Sequence, residues 1–164
     1  MSRRNLRGGG GGGSSNDGYH PTQESGCIFA IQMDTDVTVA GGLISSVLDQ
    51  SGQGNNVSAS GTARPSIVTN WRNGHNAAQY GSPTSLYRAT WTNGQVTQAN
   101  TWYLVGEWNN GGGSEYQFDG DTLDSGTSRQ VFYSSSANAG LFAGAGLING
   151  QTRPANGTPF IARL

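Results

Sequence analysis

Short apolar runs alternate with polar turn residues along most of this chain. From Gly26 onward the turn signals recur about every eight to twelve residues, a spacing typical of antiparallel all-β domains. The turns lie at Gly41-Gly42, Ser51–Gly54, Asn73-Gly74, Asn93-Gly94, Gly111–Gly113, Asp119-Gly120, Asn149-Gly150 and Asn156-Gly157. The runs between them predict strands at Cys27–Met33, Ile67–Asn70, Ala77–Tyr80, Thr101–Trp108, Arg129–Tyr133 and Leu141–Ala145. The only helix that the pattern allows is a short turn near Leu43–Leu48.

Two runs in the second half of the chain have the clearest strand pattern. Alternate side chains of Thr101–Trp108 point to opposite faces, and the two sets are Trp102, Leu104 and Trp108, and Tyr103, Val105 and Glu107. Because both sets are largely apolar, this run predicts a central strand rather than an edge strand. Pro159–Leu164 has the pattern of an opening strand, and an unpaired apolar strand end predicts either a longer natural chain or a neighbouring chain that covers it.

The composition agrees with one β-rich domain behind a flexible arm. The chain has 164 residues, of which glycine provides 27 and charged residues only 12%. Helices favour Ala, Leu, Glu and Lys, whereas this mixture favours short strands and tight turns. Residues 1–26, with glycine at every position from 8 to 13, bury too little apolar area to offset the entropy of ordering them. We therefore expect a flexible arm over 1–26 and a β-sandwich over 27–164.

The charge is divided unevenly between the arm and the body. The net charge is −1, yet Arg3, Arg4 and Arg7 precede the first acid, Asp17, so residues 1–16 carry +3 and residues 17–164 carry −4. Such a basic arm can touch an acidic neighbour or nucleic acid, or it can simply keep a loose terminus soluble. The body has no basic stripe, which argues against nucleic-acid binding there.

The single cysteine and the lack of long apolar runs indicate in which cellular compartment the protein is made. Cys27 is the only cysteine, which excludes an internal disulfide, and its apolar neighbours predict a small buried side chain. The polar, glycine-rich start lacks the apolar core of a signal peptide, and no run approaches the ~20 apolar residues of a membrane span. We expect a protein that is made in the cytoplasm without a signal peptide and does not insert into a membrane.

The turn motifs have a backbone explanation of their own. Gly52 and Gly54 can take positive φ, and Asp49 and Asn55 can bond nearby backbone amides in Asx-turns. The Asn-Gly dipeptides at positions 73 and 93 are favoured hairpin turns. These motifs describe how the domain is built, and they say little about what it binds.

The order of the motifs resembles a known domain family. In chain order they are Asp49–Asn56, Ala63–Pro65, Asn73–Gly81, Thr101–Gly106, Phe118–Gly120, Arg129–Phe132, Ala143-Gly144 and Pro159–Leu164. Together they are similar to the laminin-G-like, concanavalin A-like jelly-roll domains of phage and bacterial surface proteins, over residues 28–164 but covering only part of a complete domain. Tyr80-Gly81 departs from the family, which more often has Phe-Asp-Gly there. The resemblance implies an antiparallel jelly-roll β-sandwich.

The resemblance also implies where the protein works. The opening Met-Ser-Arg-Arg and the glycine run that follows resemble the start of phage tail or virion proteins. We expect a structural protein of the virion, on tail or capsid, whose arm binds the assembly through Arg3, Arg4 and Arg7. The implied partners are other virion proteins and further copies of this chain, with a host-surface glycan as a further option. The alternative is a carbohydrate-binding lectin module of a bacterial surface protein.

The catalytic motifs sought in this fold are missing from the sequence. Some relatives of the fold are glucanases, which need carboxylates that alternate along one strand. Glu107 lies on a predicted strand, but position 109 is Asn, so no carboxylate follows on the same face. His20 and His75 are isolated, a single cysteine cannot complete a zinc site, and no G-x-S-x-G elbow occurs. The sequence predicts a protein that is not an enzyme and needs no cofactor.

One loop carries enough oxygen ligands for calcium to be considered. Asp119, Asp121 and Asp124 lie within six consecutive residues, and carboxylate oxygens bind Ca²⁺. In an EF-hand alignment the position of the bidentate acid is Gln130, so a solvated hairpin turn is the favoured interpretation and calcium the alternative.

Aromatic side chains are the remaining candidates for ligand contact. Exposed rings can stack on the CH groups of a sugar, whereas large buried rings contribute most to a core. Trp102 and Trp108 are expected in the core. Trp91 lies in a polar run and is expected to be exposed, so Trp91 and Tyr87 are the candidate carbohydrate-binding residues.

Overall fold

The fold is all-β, with short antiparallel strands. A computed structural model describes residues 21–23, 25–81, 83–87, 101–109, 115–119, 130–134, 138–143 and 146–163. Within these ranges there are two short 3-10 turns, Pro21–Gln23 and Gly61–Ala63, and no α-helix. The strands are β1 (Val37–Ala40), β2 (Leu43–Val47), β3 (Val57–Ser58), β4 (Ser66–Arg72), β5 (His75–Gln79), β6 (Tyr103–Glu107), β7 (Glu115–Asp119), β8 (Gln130–Ser134), β9 (Asn138–Ala143), β10 (Gly146–Thr152) and β11 (Pro159–Arg163). The predicted all-β antiparallel class is confirmed for this part of the chain.

The chain divides into two compact units, Met1–Arg88 and Ala89–Leu164. The first unit contains one antiparallel sheet with the strand order β1-β2-β4-β5, and β3 also pairs with β2. Its core consists of the fully or nearly buried side chains Ile44, Val47 and Val57. Partly buried apolar side chains pack against them, namely Phe29, Ile31, Met33, Val37, Ile67, Ala78 and Leu86.

The helical turn that the sequence pattern allowed near Leu43–Leu48 does not form, because Leu43–Val47 is strand β2 with a β-bulge. Thr38 pairs with Ser46 and Val39 pairs with Ile44, so Ser45 is the extra residue. A bulge shifts the alternation of side chains, which places Ile44 and Val47 on the same buried side although they are three residues apart. Burial at positions i and i+3 is also the signature of a helix, which explains the error.

The expected strand at Cys27–Met33 was also wrong. The segment of residues 27–33 has no strand pairing, although Phe29, Ile31 and Met33 pack against the first core. Its backbone bonds the loop that follows β2 instead: the Ala30 amide donates to Asp49 Oδ1 at 2.9 Å, and the Gln50 amide donates to the Ala30 carbonyl at 2.8 Å. Cys27 is half-buried rather than buried.

The hairpin of β4 and β5 confirms two predicted strands and one predicted turn. β4 contains the predicted run Ile67–Asn70, and β5 overlaps the predicted run Ala77–Tyr80. Asn73 and Gly74 connect them with φ values of 50° and 85°, the left-handed conformations that a two-residue hairpin turn needs. The second Asn-Gly dipeptide, at position 93, lies outside the described residues.

The second unit contains a four-stranded sheet and a two-stranded ribbon among its described residues. The sheet has the order β10-β9-β8-β7, and the ribbon pairs β11 with β6. Three predicted strands are confirmed here in β6, β8 and β9, and the run that starts at Pro159 forms β11. That run was expected to need a longer chain or a neighbour, yet β6 of the same chain pairs with it from Pro159 to Arg163.

An aromatic cluster forms the core of the second unit. Trp108, Phe132 and Ala139 are buried, and Leu104, Phe160 and Ala162 pack against them. The rings of Trp108 and Phe160 are stacked with centroids 4.1 Å apart. Gly106 permits this approach, because a Cβ at this position would lie 3.3 Å from the Phe160 ring. Trp108 was correctly expected in the core, whereas Trp102 is only half-buried.

Candidate binding surface

The outward face of the β6–β11 ribbon is an exposed apolar surface. Val105 and Ile161 are directly opposite each other in the strand register, and they are 62% and 75% exposed. Tyr103, two residues before Val105, is 55% exposed. The side chains on the opposite face of the ribbon, such as Leu104 and Phe160, pack into the aromatic core. The ribbon therefore has one buried apolar face and one apolar face in contact with solvent.

Two residues of opposite charge lie at the two ends of the β6–β11 ribbon. Arg163 is paired with Tyr103 at one end of the ribbon, and Glu107 is paired with Pro159 at the other. Side chains alternate along a regular strand, so Glu107 shares a face with Val105, and Arg163 with Ile161. We call the set Tyr103, Val105, Glu107, Pro159, Ile161 and Arg163 the ribbon face. Its centre is apolar, Arg163 at one end is exposed, and Glu107 at the other end is half-buried and has an interaction within the chain.

The ribbon face corrects one expectation from the sequence. Apolar residues on both sides of Thr101–Trp108 predicted a central strand. Within the described residues β6 pairs with β11 alone, and the side that carries Tyr103 and Val105 is exposed. The apolar pattern was correct, but the second apolar face lies on the surface. Isolated exposed apolar residues are common, whereas a contiguous group is characteristic of a contact site.

The structure describes only one of the two candidate carbohydrate-binding residues. Tyr87 is 55% exposed, and its backbone is bridged to Ser58 by two hydrogen bonds, one in each direction, of 2.9 and 3.0 Å. The backbone around its ring is therefore held in place. Trp91 lies outside the described residues, so its position relative to Tyr87 stays a prediction.

The remaining predicted sites lie mostly in parts of the chain that the structure does not describe. These are the arm residues Arg3, Arg4 and Arg7 and the calcium candidates Asp121 and Asp124. Asp119 is the last residue of β7, and its backbone pairs with Val131 of β8. Among the described side chains there is no group of three or more His, Cys, Asp or Glu residues that is arranged to hold a metal ion.

His75 has an acidic partner, contrary to the expectation that it is isolated. Its Nδ1 lies 2.7 Å from Asp34 Oδ2. The Asn76 amide donates to Asp34 Oδ1, also at 2.7 Å. This backbone hydrogen bond, helped by the His75 contact and opposed by burial, holds the pKa of Asp34 below its ordinary value of 3.8. The pair ties the turn before β1 to the start of β5, and 41 residues separate its members.

Asp49 is the centre of the loop that was predicted from the Asp49–Asn56 motif. Its carboxylate accepts hydrogen bonds from the amides of Ala30, Ser51 and Asn55 and from the Ser51 hydroxyl, at 2.7 to 3.0 Å. Burial alone would raise the pKa of Asp49, but these hydrogen bonds outweigh it and the pKa is lowered from 3.8. The predicted Asx-turn at Asp49 is confirmed, and Gly52 and Gly54 have the positive φ expected of them.

Asn55 in the same loop makes a long-range contact that the prediction did not include. Its side-chain Nδ2 donates to the Ile28 carbonyl at 2.7 Å, across 27 positions of sequence. The side chain is almost completely buried. The Asp49–Asn56 loop is thus a structural support for the first core, and the chemistry of its carboxylate is used in backbone hydrogen bonds.

Comparisons of this chain with models of protein families, with curated proteins and with solved structures found no match. None of the helices in the described ranges is long and apolar enough to cross a membrane. On structural grounds, two surfaces are candidates for binding. The first is the ribbon face, and the second is the exposed ring of Tyr87.

Proposed function

We propose that this protein is a structural and binding component of a bacteriophage particle. In this proposal the chain is not an enzyme, the arm over residues 1–26 tethers it to the tail or capsid, and a jelly-roll β-sandwich over 27–164 provides the contact surfaces. The support from sequence is the resemblance of the motifs to phage jelly-roll domains and the basic, glycine-rich start.

The observation that carries the proposal is the ribbon face. Exposed apolar groups that are contiguous and bordered by charges are typical of protein–protein contacts. Val105 and Ile161 are both more than half exposed at the centre of such a group, and the charged residues lie at its ends. A protein that functions by contacting its neighbours in an assembly needs such a contact surface.

The arm is tested by tryptic cleavage of the protein in isolation and in purified particles. We expect fast cleavage after Arg3, Arg4 and Arg7 in the isolated protein and protection in the particle, because a bound arm is inaccessible to protease. Replacing all three residues by Gln is expected to lower the affinity of the arm about tenfold, since each exposed charge pair contributes about 0.2–1 kcal/mol. Copy number per particle is the measurement.

The matched control for the arm is a pair of arginines in the body. Arg64→Gln and Arg72→Gln remove the same kind of charge from the first unit and are expected to leave the copy number unchanged. A protein that does not co-purify with particles, or an arm that is cleaved equally fast in both states, contradicts the proposal.

A second candidate function, carbohydrate binding by a lectin module, is favoured by the exposed ring of Tyr87. An aromatic ring on a backbone that is fixed by hydrogen bonds loses little conformational entropy when a sugar stacks on it. Glycan titration followed by tryptophan fluorescence is expected to give a response that Trp91→Ala and Tyr87→Ala both abolish. Tyr80→Ala, which removes another exposed tyrosine of the same unit, is the control. A glycan response that survives both substitutions would exclude this site.

A further inference from the structure

We propose that Asn73, in the turn between β4 and β5, is a site of spontaneous covalent modification. Its side-chain amide is lost, and an aspartate or isoaspartate residue forms in its place. The reaction needs no enzyme and no cofactor, and it goes beyond the proposed function because it concerns the chemistry of the chain itself. The structure distinguishes this Asn-Gly dipeptide from a second one, at Asn156-Gly157.

The reaction is an attack of the backbone on the side chain. The amide nitrogen of Gly74 gives its proton to a base in the solvent and forms a bond to Cγ of Asn73. The bond from Cγ to the side-chain nitrogen breaks, and ammonia leaves with a proton from water, so that a succinimide ring remains. Water then opens the ring. Cleavage of the new bond gives aspartate at position 73, whereas cleavage of the original backbone bond gives the β-linked isoaspartate.

The turn at Asn73 leaves both reacting groups accessible. Gly74 has no side chain that crowds its nitrogen, and both residues of the turn are exposed. Within the part of the chain that the structure describes, neither the side-chain amide of Asn73 nor the Gly74 N–H makes a hydrogen bond. No hydrogen bond therefore has to break before the Gly74 nitrogen attacks.

The tip of the hairpin can open without the rest of the β4–β5 pair. Ring closure requires rotation about the Cα–C bond of Asn73, which takes this residue out of its left-handed conformation, at φ 50°, a region that is costly for an L-residue. The regular pairing of β4 with β5 ends at Val68, where the register shifts, and Arg72 opposite His75 is the pair that follows. A segment that few backbone pairs hold opens at low cost.

Hydrogen bonds to Asp34 confine this opening to the turn. His75 Nδ1 lies 2.7 Å from Asp34 Oδ2, and the Asn76 amide donates to Asp34 Oδ1 at the same distance. These contacts keep the start of β5 in place while Asn73 rotates. The modification is therefore expected in the folded protein and does not require global unfolding.

The dipeptide Asn156-Gly157 has the same local chemistry and is also exposed, but hydrogen bonds hold both of its reacting groups. The Gly157 amide donates to the Trp108 carbonyl at 2.8 Å, and Asn156 Oδ1 accepts a hydrogen bond from Nη2 of Arg153. Attack on Cγ requires that both bonds break. Because a hydrogen bond from a charged donor is stronger than a neutral one, we expect Asn156 to react at least about tenfold more slowly than Asn73.

The test is mass spectrometry of the full-length protein after incubation in mildly alkaline buffer, with fragmentation that assigns each modified position. In the folded protein we expect residue 73 to be converted at least about tenfold faster than residue 156. In guanidinium chloride at a concentration that unfolds the chain, both dipeptides lose their structure. The difference in rate is then expected to disappear, because the local chemistry of the two sites is the same.

Two variants of residue 73 complete the test. Asn73→Gly keeps a dipeptide that two-residue hairpin turns favour but has no side-chain amide, so no acid is expected to form at this position. Asn73→Asp reproduces the aspartate product and provides the reference that separates it from isoaspartate. Circular dichroism of both variants checks that the fold is kept.

Two results would overturn the proposal. One is a folded protein in which Asn73 reacts no faster than Asn156. The other is a difference in rate that persists unchanged in the unfolded chain, since neighbouring residues rather than hydrogen bonds would then determine it.

Discussion

Replacing Trp108 by alanine is expected to lower the free energy of unfolding of the second unit by about 3–5 kcal/mol, the usual cost of removing a buried tryptophan. Trp108 is only 2% exposed. The Trp108 ring stacks on Phe160, and its centroid lies 6.2 Å from the centroid of the Phe132 ring. The guanidinium carbon of Arg153 lies 5.2 Å from the centroid of the Trp108 ring. Each of these contacts disappears in the variant, and the removed ring leaves a cavity in the core.

The Trp108→Phe variant distinguishes the contribution of the aromatic ring to stability from that of the polar indole Nε1. The indole Nε1 is buried and has no acceptor among the described residues, and an unpaired buried donor costs about 1–3 kcal/mol. Phenylalanine removes this donor while it keeps a ring against Phe160, so we expect a clearly smaller loss than for alanine. Urea denaturation followed by near-UV circular dichroism measures both variants.

The control for the tryptophan variants is Tyr103→Ala on the ribbon face. Tyr103 is a large aromatic residue of the same ribbon but is more than half exposed, so its loss is expected to change stability by less than about 0.5 kcal/mol. Equal effects at 103 and 108 would mean that the aromatic cluster around Phe160 is not the core of this unit.

Replacing Asp49 by asparagine is expected to lower the free energy of unfolding by about 3 kcal/mol, since hydrogen bonds to a charged group contribute about 1.5–3 kcal/mol each and a near-isosteric amide keeps part of them. The carboxylate accepts four hydrogen bonds. An amide offers a single acceptor oxygen and turns an NH₂ group toward donors. Chemical denaturation measures the loss. Asp36→Asn is the control, because Asp36 is exposed and asparagine tolerates its positive φ.

The same carboxylate gives the protein an acid sensitivity with a defined sign. The pKa of Asp49 is lowered from 3.8 in the folded state, and the pKa of Asp34 is lowered as well. A lowered pKa contributes stability that is present above the unfolded value and is lost as the pH falls through the folded value. We expect constant stability from these groups above about pH 5 and a decline below about pH 4. The decline is expected to be shallower in Asp49→Asn.

Local signals in the sequence predicted several strands and turns correctly. The Asn73-Gly74 hairpin, the strand around Leu104 and the Asx-turn at Asp49 depend on residues within a few positions of each other. Their geometry follows from backbone preference and from the alternation of side chains. Strand β10, which was not predicted, is rich in small or polar residues, and its pairing with β9 is what makes it a strand.

No local signal predicted the contacts across long separations. The pairing of His75 with Asp34 and of Asn55 with the Ile28 carbonyl spans 41 and 27 positions. Ser45 lies in the segment where the sequence pattern allowed a helical turn. Its bulge exists only because β1 pairs with β2, and no short window of sequence shows that pairing. Such contacts depend on which segments the chain brings together, and one sequence does not contain that information in any short window.

Short antiparallel strands with glycine turns, and a run around Val105 that is apolar on both sides, follow from the amino-acid sequence alone. The assignment of one of those sides to the core and of the other to the surface required the folded chain. The reason is that the alternation of side chains assigns residues to two faces but does not say what covers either face. Stacking of Trp108 on Phe160 buries one face of the ribbon, and Val105 and Ile161 remain exposed on the other.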